Sequence, residues 1–287
     1  MAARSPRGAV PDGSLATTPK VTMLSATLCY TGETCKYITC LTPACSLHPR
    51  TIPLLLLRRL LGLPDLDRSV KIPPAVKACI LDDAVARDIG VGQPLSNGRS
   101  SLLRSRVGGE RFLWACCSGS SSTTAGTSGI ILTWHIATCI LEVRHPYQCG
   151  GGGCQEQLNR HKIAATHLSR YCAYLMAWYP DLLPDHEEWS TALYETVKDD
   201  ARRALAGCSA GCAAVLGPEA EYVSRPVIQS LSVYSRHEGL RKGVVLGKQL
   251  VELMEGEETA WMVLAEFWSE MILYVAASDI ALHGVVS

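Results

Sequence analysis

The stretch from Trp261 to Val275, W-M-V-L-A-E-F-W-S-E-M-I-L-Y-V, decides the fold class. Trp261, Leu264, Ala265, Trp268, Ile272 and Val275 recur every three or four residues, the spacing of one face of an α-helix rather than the alternation of a half-buried strand. Glu266 and Glu270 fall off that face, so the segment predicts an amphipathic helix with a polar edge. Glu257 and Glu258 precede it where its first turn would lie, and negative charge there complements the positive end of the helix dipole. Two tryptophans on one face must be covered, by the rest of the chain or by another protein.

Upstream segments carry the same period. Pro73 and Pro74 suit a helix start, where a missing N–H costs nothing, and Val76, Ile80, Ala84 and Ile89 follow at helical spacing until Gly90. Ile130–Val143 is apolar almost throughout; its length and its lack of internal Gly or Pro favour a helix over a buried strand. Ile163, His167, Tyr171 and Leu175 lie on a broad stripe that Pro180 stops. Asp185-His186-Glu187-Glu188 resembles a capping box, with Asp185 accepting from the Glu188 N–H. A helix from Glu187 to Ala206 follows, anchored by Trp189, Leu193 and Val197 and closed by Gly207. Ser118–Gly129 and Gln148–Gln155, which contains four consecutive glycines, read as loops. The expected fold is mainly α, an irregular bundle of about six helices with Gly/Ser/Pro-rich loops.

Residues 1–65 have a different character. Basic side chains (Arg4, Arg7, Lys20, Lys36, Arg50, Arg58 and Arg59) predominate, four cysteines fall between Cys29 and Cys45, and Pro43, Pro49 and Pro53 interrupt any helix. Leu54–Leu63 could form a short helix ended by Pro64. The expected organisation is a low-order N-terminal region over 1–65 and a helical domain over 70–287.

The 287 residues are 47% hydrophobic and 19% charged, and 27 basic side chains balance 27 acidic ones. That is too apolar for a wholly disordered chain, and the absent net charge gives no case for nucleic acid, which favours a basic face. A bilayer-spanning helix needs about 20 consecutive, mostly apolar residues. Gly129–Leu141 is too short, and Ala260–Leu282 is interrupted by Glu266, Glu270 and Asp279, so no segment is expected to span a membrane. The proline-bearing N-terminus has no secretory apolar run and only a faint likeness to an organelle transit peptide. An intracellular chain with its 13 cysteines as reduced thiols is the reading that follows.

Each motif with chemical potential has a plainer explanation. Cys29, Cys35, Cys40 and Cys45, with His48, supply thiolates but lack the paired spacing of a structural zinc site. Cys149 and Cys154, with His145 and His161, flank a tetraglycine that is costly to order. Gly207-Cys208-Ser209-Ala210-Gly211 matches a nucleophile elbow in letters, but a charged helical run precedes it where a buried strand is required. Gly243-Val-Val-Leu-Gly247-Lys248-Gln249 is one spacer short of a phosphate-binding loop, and Gln249 stands where a hydroxyl must meet magnesium. His186-Glu187 lacks a second metal ligand at helical spacing. His135, beside Trp134 in an apolar run, reads as a core histidine bonded to a carbonyl. No catalytic, cofactor-binding or metal-binding residue is assigned on this reading.

Several of these segments carry a resemblance. Ile131-Leu132-Thr133-Trp134-His135-Ile136-Ala137-Thr138, then Leu168 to Leu175 with Pro180-Asp181-Leu182-Leu183-Pro184, then Trp261 through Asp279 occur in the order seen in the plant family called domain of unknown function 594. Val76-Lys77 and Leu95-Ser96-Asn97-Gly98 through Trp114-Ala115-Cys116 are similar to it as well, so the likeness covers approximately residues 70–283. The resemblance implies no known activity, cofactor or catalytic residue. It implies longer relatives that also carry a hydrophobic multi-helix part, domain of unknown function 4220, and look like membrane proteins. Residues 1–65 do not resemble that part, and relatives usually continue past the position of His283, so the chain reads as a truncated copy.

The expectation is therefore an uncharacterised, non-catalytic helical interaction or regulatory domain, with a protein partner at the Trp261–Val275 face and membrane contact by analogy alone. The alternatives are a thiol- or metal-dependent enzyme using clustered Cys and His, with His135 or His161, and a degenerate copy without independent function.

Overall fold

The computed structural model describes residues 34–36, 69–89, 94–116, 126–145, 153–211, 228–253 and 256–283. The Leu54–Leu63 helix, the Ser118–Ala125 stretch, Cys29, Cys40, Cys45, His48 and Cys149 lie outside these residues.

The chain is mainly helical. Two short strands, β1 (Thr34–Lys36) and β2 (Ser69–Lys71), pair antiparallel with Cys35 opposite Val70. The helices are α1 (Pro74–Ile89), α2 (Arg99–Arg104), α3 (Thr127–Arg144), α4 (Gly153–Trp178), α5 (Glu187–Gly211), α6 (Glu238–Leu253) and α7 (Glu257–His283). Two 3-10 segments, Gly109–Cys116 and Pro180–Leu182, and a helical run at 228–234 complete the described elements. Among the described residues, seven numbered α-helices, the helical run at 228–234 and two 3-10 segments exceed the six expected; the elements within 99–116, 228–234 and the glycine-bearing 238–253 are the additions.

Two helices form the interior. α3 packs chiefly on α6 and also on α4; α7 packs chiefly on α4 and also on α1 and α2. Every residue of α3 from Thr127 to Glu142 is buried, so no helical face is left for periodicity to report. α7 corrects the amphipathic expectation. Trp261, Leu264, Trp268, Ile272 and Val275 are buried, but so are Phe267, Ser269, Glu270 and Met271 on its other sides. Glu270 is charged yet interior because it closes another helix: its carboxylate accepts from the Ser96 N–H and hydroxyl, at 3.0 and 3.2 Å, and from the Ser101 N–H. The Ser101 N–H lies in the first turn of α2, where N–H groups have no intrahelical acceptor, and Ser96 lies in the turn just before it.

Aromatic rings join the central helices. Trp134 of α3 stacks on Phe267 of α7 at 3.8 Å between centroids, and the Trp268 indole N–H donates to Thr138 Oγ1 at 3.0 Å. Gly98 lies under the same Phe267 ring; its φ is +84°, and a Cβ there would collide with the ring. Conformation and space both demand glycine at that turn.

Gly243 and Gly247, which read as a broken phosphate loop, lie inside α6 and let it approach α3. A Cβ at Gly243 would stand 2.7 Å from Ile136 Cβ and 2.9 Å from the Thr133 carbonyl; one at Gly247 would stand 3.0 Å from Ile140. Small residues four apart place one helix backbone against the side chains of the next. The Gly207–Gly211 elbow motif is likewise helical, forming the end of α5 beyond the expected stop at Gly207. Asp185 does not box its own helix as expected. Its Oδ2 accepts from the Ser128 N–H at 2.6 Å, capping α3 across the fold.

One stretch, Glu257–Ser278, is long and apolar enough to cross a membrane by length and composition, and 78% of its apolar window is buried inside the protein. Interior packing accounts for that hydropathy.

Candidate functional site

Two polar assemblies stand out. The first lies in the seam between α3 and α4. His135 and Cys139 are one turn apart on α3, and Cys139 Sγ lies 3.7 Å from His135 Nε2. His135 Nδ1 pairs with the Ser169 hydroxyl on α4 at 2.8 Å, a hydroxyl where the sequence suggested a carbonyl. One helical turn further along α3, Glu142 accepts from Arg170 Nη2 at 2.6 and 2.9 Å, with both side chains buried. His167 adjoins this pair, and its pKa falls to about 4, chiefly through burial and then through the Arg170 charge. A histidine, a thiol and a hydroxyl therefore meet, but all three are at most 2% exposed. Burial also drives the neighbouring Cys172 thiol far upward. These groups tie two helices together.

The second assembly is open. A cleft of about 510 Å³ lies between α1, α2, α4 and α7. α1 contributes Cys79, Asp82 and Asp83, and α2 and the turn after it contribute Arg104 and Arg106. His161 comes from α4, and Met262, Ala265, Glu266 and Ser269 form one edge of α7. The spacing of 262, 265, 266 and 269 aligns these residues along a single helix face.

Two ion pairs brace the walls. Arg104 Nη2 meets Asp83 Oδ1 at 2.5 Å, joining α2 to α1, and Arg160 Nη2 meets Asp82, joining α4 to α1. Other polar atoms at this place have no partner among the described residues: Arg104 Nη1, Arg160 Nε, His161 Nδ1 and the Ser269 hydroxyl are buried without a hydrogen bond. Native proteins leave few such groups. Burial pushes the Glu266 carboxyl up to about 7; the Ser105 hydroxyl and the Arg104 charge pull it down, while Asp83 pushes the same way as burial. Burial raises the Cys79 thiol against the opposing influence of Arg160, and it lowers His161, which Arg160 lowers further.

The other residues weighed in the sequence are scattered. His145 Nδ1 lies 3.5 Å from Glu257, and the same carboxylate accepts from Lys162 Nζ and from the Trp261 indole, each at 3.1 Å. Glu257 thus anchors α4 and α7 beyond its place in a favourable first turn. Cys35 lies in β1, Cys154 in the first turn of α4, and His186 is exposed before α5. Among the described residues, no group of three or more His, Cys, Asp or Glu is placed to hold a metal ion.

With α7 placed as a cleft wall, the comparison with known families becomes informative. Residues 254–283 match the family described as protein of unknown function, DUF594. The match is DUF594. It agrees with the resemblance at Trp261 through Asp279, and it spans the whole of α7. No curated protein matches the chain, and no solved structure does. The DUF594 segment thus supplies the central helix, with its ring-bearing sides in the core and its Met262–Ser269 edge in the cleft.

The sequence missed the cleft because its residues come from four separate elements and look like ordinary surface charges. One signal was available: Glu266 and Ser269 are polar residues three apart within an otherwise apolar run.

Proposed function

We propose that this chain is a non-catalytic helical interaction or regulatory domain that acts by binding. The observation carrying this reading is the commitment of His135, Cys139 and Ser169 to one another in a sealed seam between α3 and α4. A working nucleophile needs a reachable substrate and an activated state, and burial raises rather than lowers the nearby Cys172 thiol. The Trp261–Val275 side chains expected to meet a partner are covered by the chain's own helices. Binding is therefore assigned to the adjoining edge of α7, at the cleft. Membrane contact rests only on resemblance to longer relatives.

Iodoacetamide labelling of the native full chain, followed by mass mapping, tests the reading. Cys79, Cys139 and Cys172 should resist at pH 7 and label fully on unfolding.

One arrangement favours a second reading, a thiol enzyme: Cys79 and His161 line the same cleft. That reading requires a thiolate at neutral pH, while burial holds the Cys79 thiol above its ordinary range. Rapid alkylation of Cys79 below pH 7, lost in His161→Gln, would establish it and defeat the binding-only account.

A further inference from the structure

We propose that the cleft between α1, α2, α4 and α7 binds a small monoanionic organic acid, with Arg104 Nη1 and the Ser269 hydroxyl as donors to its carboxylate. The inference begins with a mismatch between donors and acceptors. Asp82 and Asp83 line the cleft but are already engaged by Arg160 and Arg104. Arg104 Nη1 and Ser269 Oγ are buried and have no acceptor among the described residues. Ser269 is 1% exposed, on a helix whose neighbouring positions are packed, so its orphan hydroxyl is held in place. A buried donor left unsatisfied costs about 1–3 kcal/mol, and an acceptor-bearing ligand removes that cost.

Charge narrows the class further. Arg104 and Arg106 favour an anion, whereas Asp82, Asp83 and Glu266 in the same walls oppose a doubly charged phosphate. A cation would face guanidinium groups and gain no partner for the orphan donors. Glu266, whose carboxyl burial raises to about 7, repels a single negative charge less than a fully ionised carboxylate would. The remaining lining includes Met262 and Ala265, which suit a short apolar body. The volume lies within the range of small-molecule pockets, about 300–1,000 Å³.

Calorimetric titration of the full chain at pH 7 with hexanoate, hexylamine and inorganic phosphate provides the test. Hexanoate should saturate one site, while hexylamine and phosphate should show no saturation at the same concentrations. Ser269→Ala removes only the orphan hydroxyl and should weaken hexanoate about tenfold, in keeping with the loss of one hydrogen bond to a charged group. Arg104→Lys keeps a cation for Asp83 but lacks Nη1, and it should weaken binding to a similar degree. Circular dichroism spectra of both variants at the assay temperature should match wild type. No hexanoate binding, equal or tighter binding of hexylamine or phosphate, or unchanged affinity in a folded Ser269→Ala would each overturn the proposal.

Discussion

Gly243→Ala is the most informative single substitution, because two effects of known size oppose each other. In an exposed helix interior, exchanging Gly for Ala stabilises by about 1 kcal/mol. At Gly243 the added Cβ would stand 2.7 Å from Ile136 Cβ, 2.8 Å from Ile136 Cγ2 and 2.9 Å from the Thr133 carbonyl oxygen. The first two atoms belong to a β-branched side chain with little rotamer freedom, and the third is backbone inside α3. Neither can swing aside, so relief requires α3 and α6 to separate. Overpacking of this kind costs typically about 1–3 kcal/mol, and a rigid neighbour puts it at the upper end. The net expectation is a destabilisation of roughly 1–2 kcal/mol after the propensity gain.

Urea unfolding of the full chain, followed by tryptophan fluorescence, measures this as a lower midpoint with an unchanged slope. Gly247→Ala is the internal comparison: the atoms nearest its Cβ belong to the Ile140 side chain, at 3.0 Å and with no backbone among them, so its cost should be smaller. Ile136→Ala combined with Gly243→Ala should cost less than the sum of the two single changes, since the smaller side chain makes room. A Gly243→Ala protein more stable than wild type by the propensity gain alone would refute the close approach of α6 to α3.

Three further outcomes follow from named contacts. Gly98→Ala should destabilise by about 2–5 kcal/mol in the same assay, combining left-handed backbone strain with a clash on the Phe267 ring. Arg170→Met should cost about 3–5 kcal/mol by taking the guanidinium away from the buried Glu142 carboxylate, and Arg170→Met with Glu142→Leu should recover most of it. Stability should depend on pH through two opposed groups. His167, lowered from 6.5 to about 4, loses its stabilising contribution as pH falls through that interval, because only the unfolded chain takes up the proton readily. Glu266, raised from 4.5 to about 7, loses its contribution as pH rises through that interval. Glu266→Gln should therefore gain stability relative to wild type at pH 8, with the gain vanishing near pH 4.5, as read from urea midpoints at the two pH values.

The residues explain which parts of the fold could be read in advance. α1 and α5 keep an exposed side, so their apolar spacing is visible; α4 shows a broad apolar stripe and a Pro stop, and α3 is legible by its length and the absence of breakers. α7 was placed correctly as a helix but assigned the wrong environment, since a buried Glu270 that closes α2 is indistinguishable in one dimension from a solvated acid. α6 went unread because Gly243 and Gly247 lower its intrinsic propensity, and only the proximity of Ile136 and Ile140 explains them. Asp185 has the right chemistry for a cap, but its acceptor serves Ser128, 57 positions away. The cleft was illegible for a related reason. Asp82, Asp83, Arg104 and Glu266 acquire meaning only when α1, α2 and α7 converge, and no local pattern encodes that convergence.

Native-state hydrogen exchange on the full chain addresses the central claim most directly, that α3 and the DUF594 helix are the buried interior against which the other elements pack. Amides of Ile131–Leu141 and Leu264–Val275 should be the slowest to exchange, opening only with global unfolding. Rapid exchange through either stretch while α4 and α5 remain protected would contradict it.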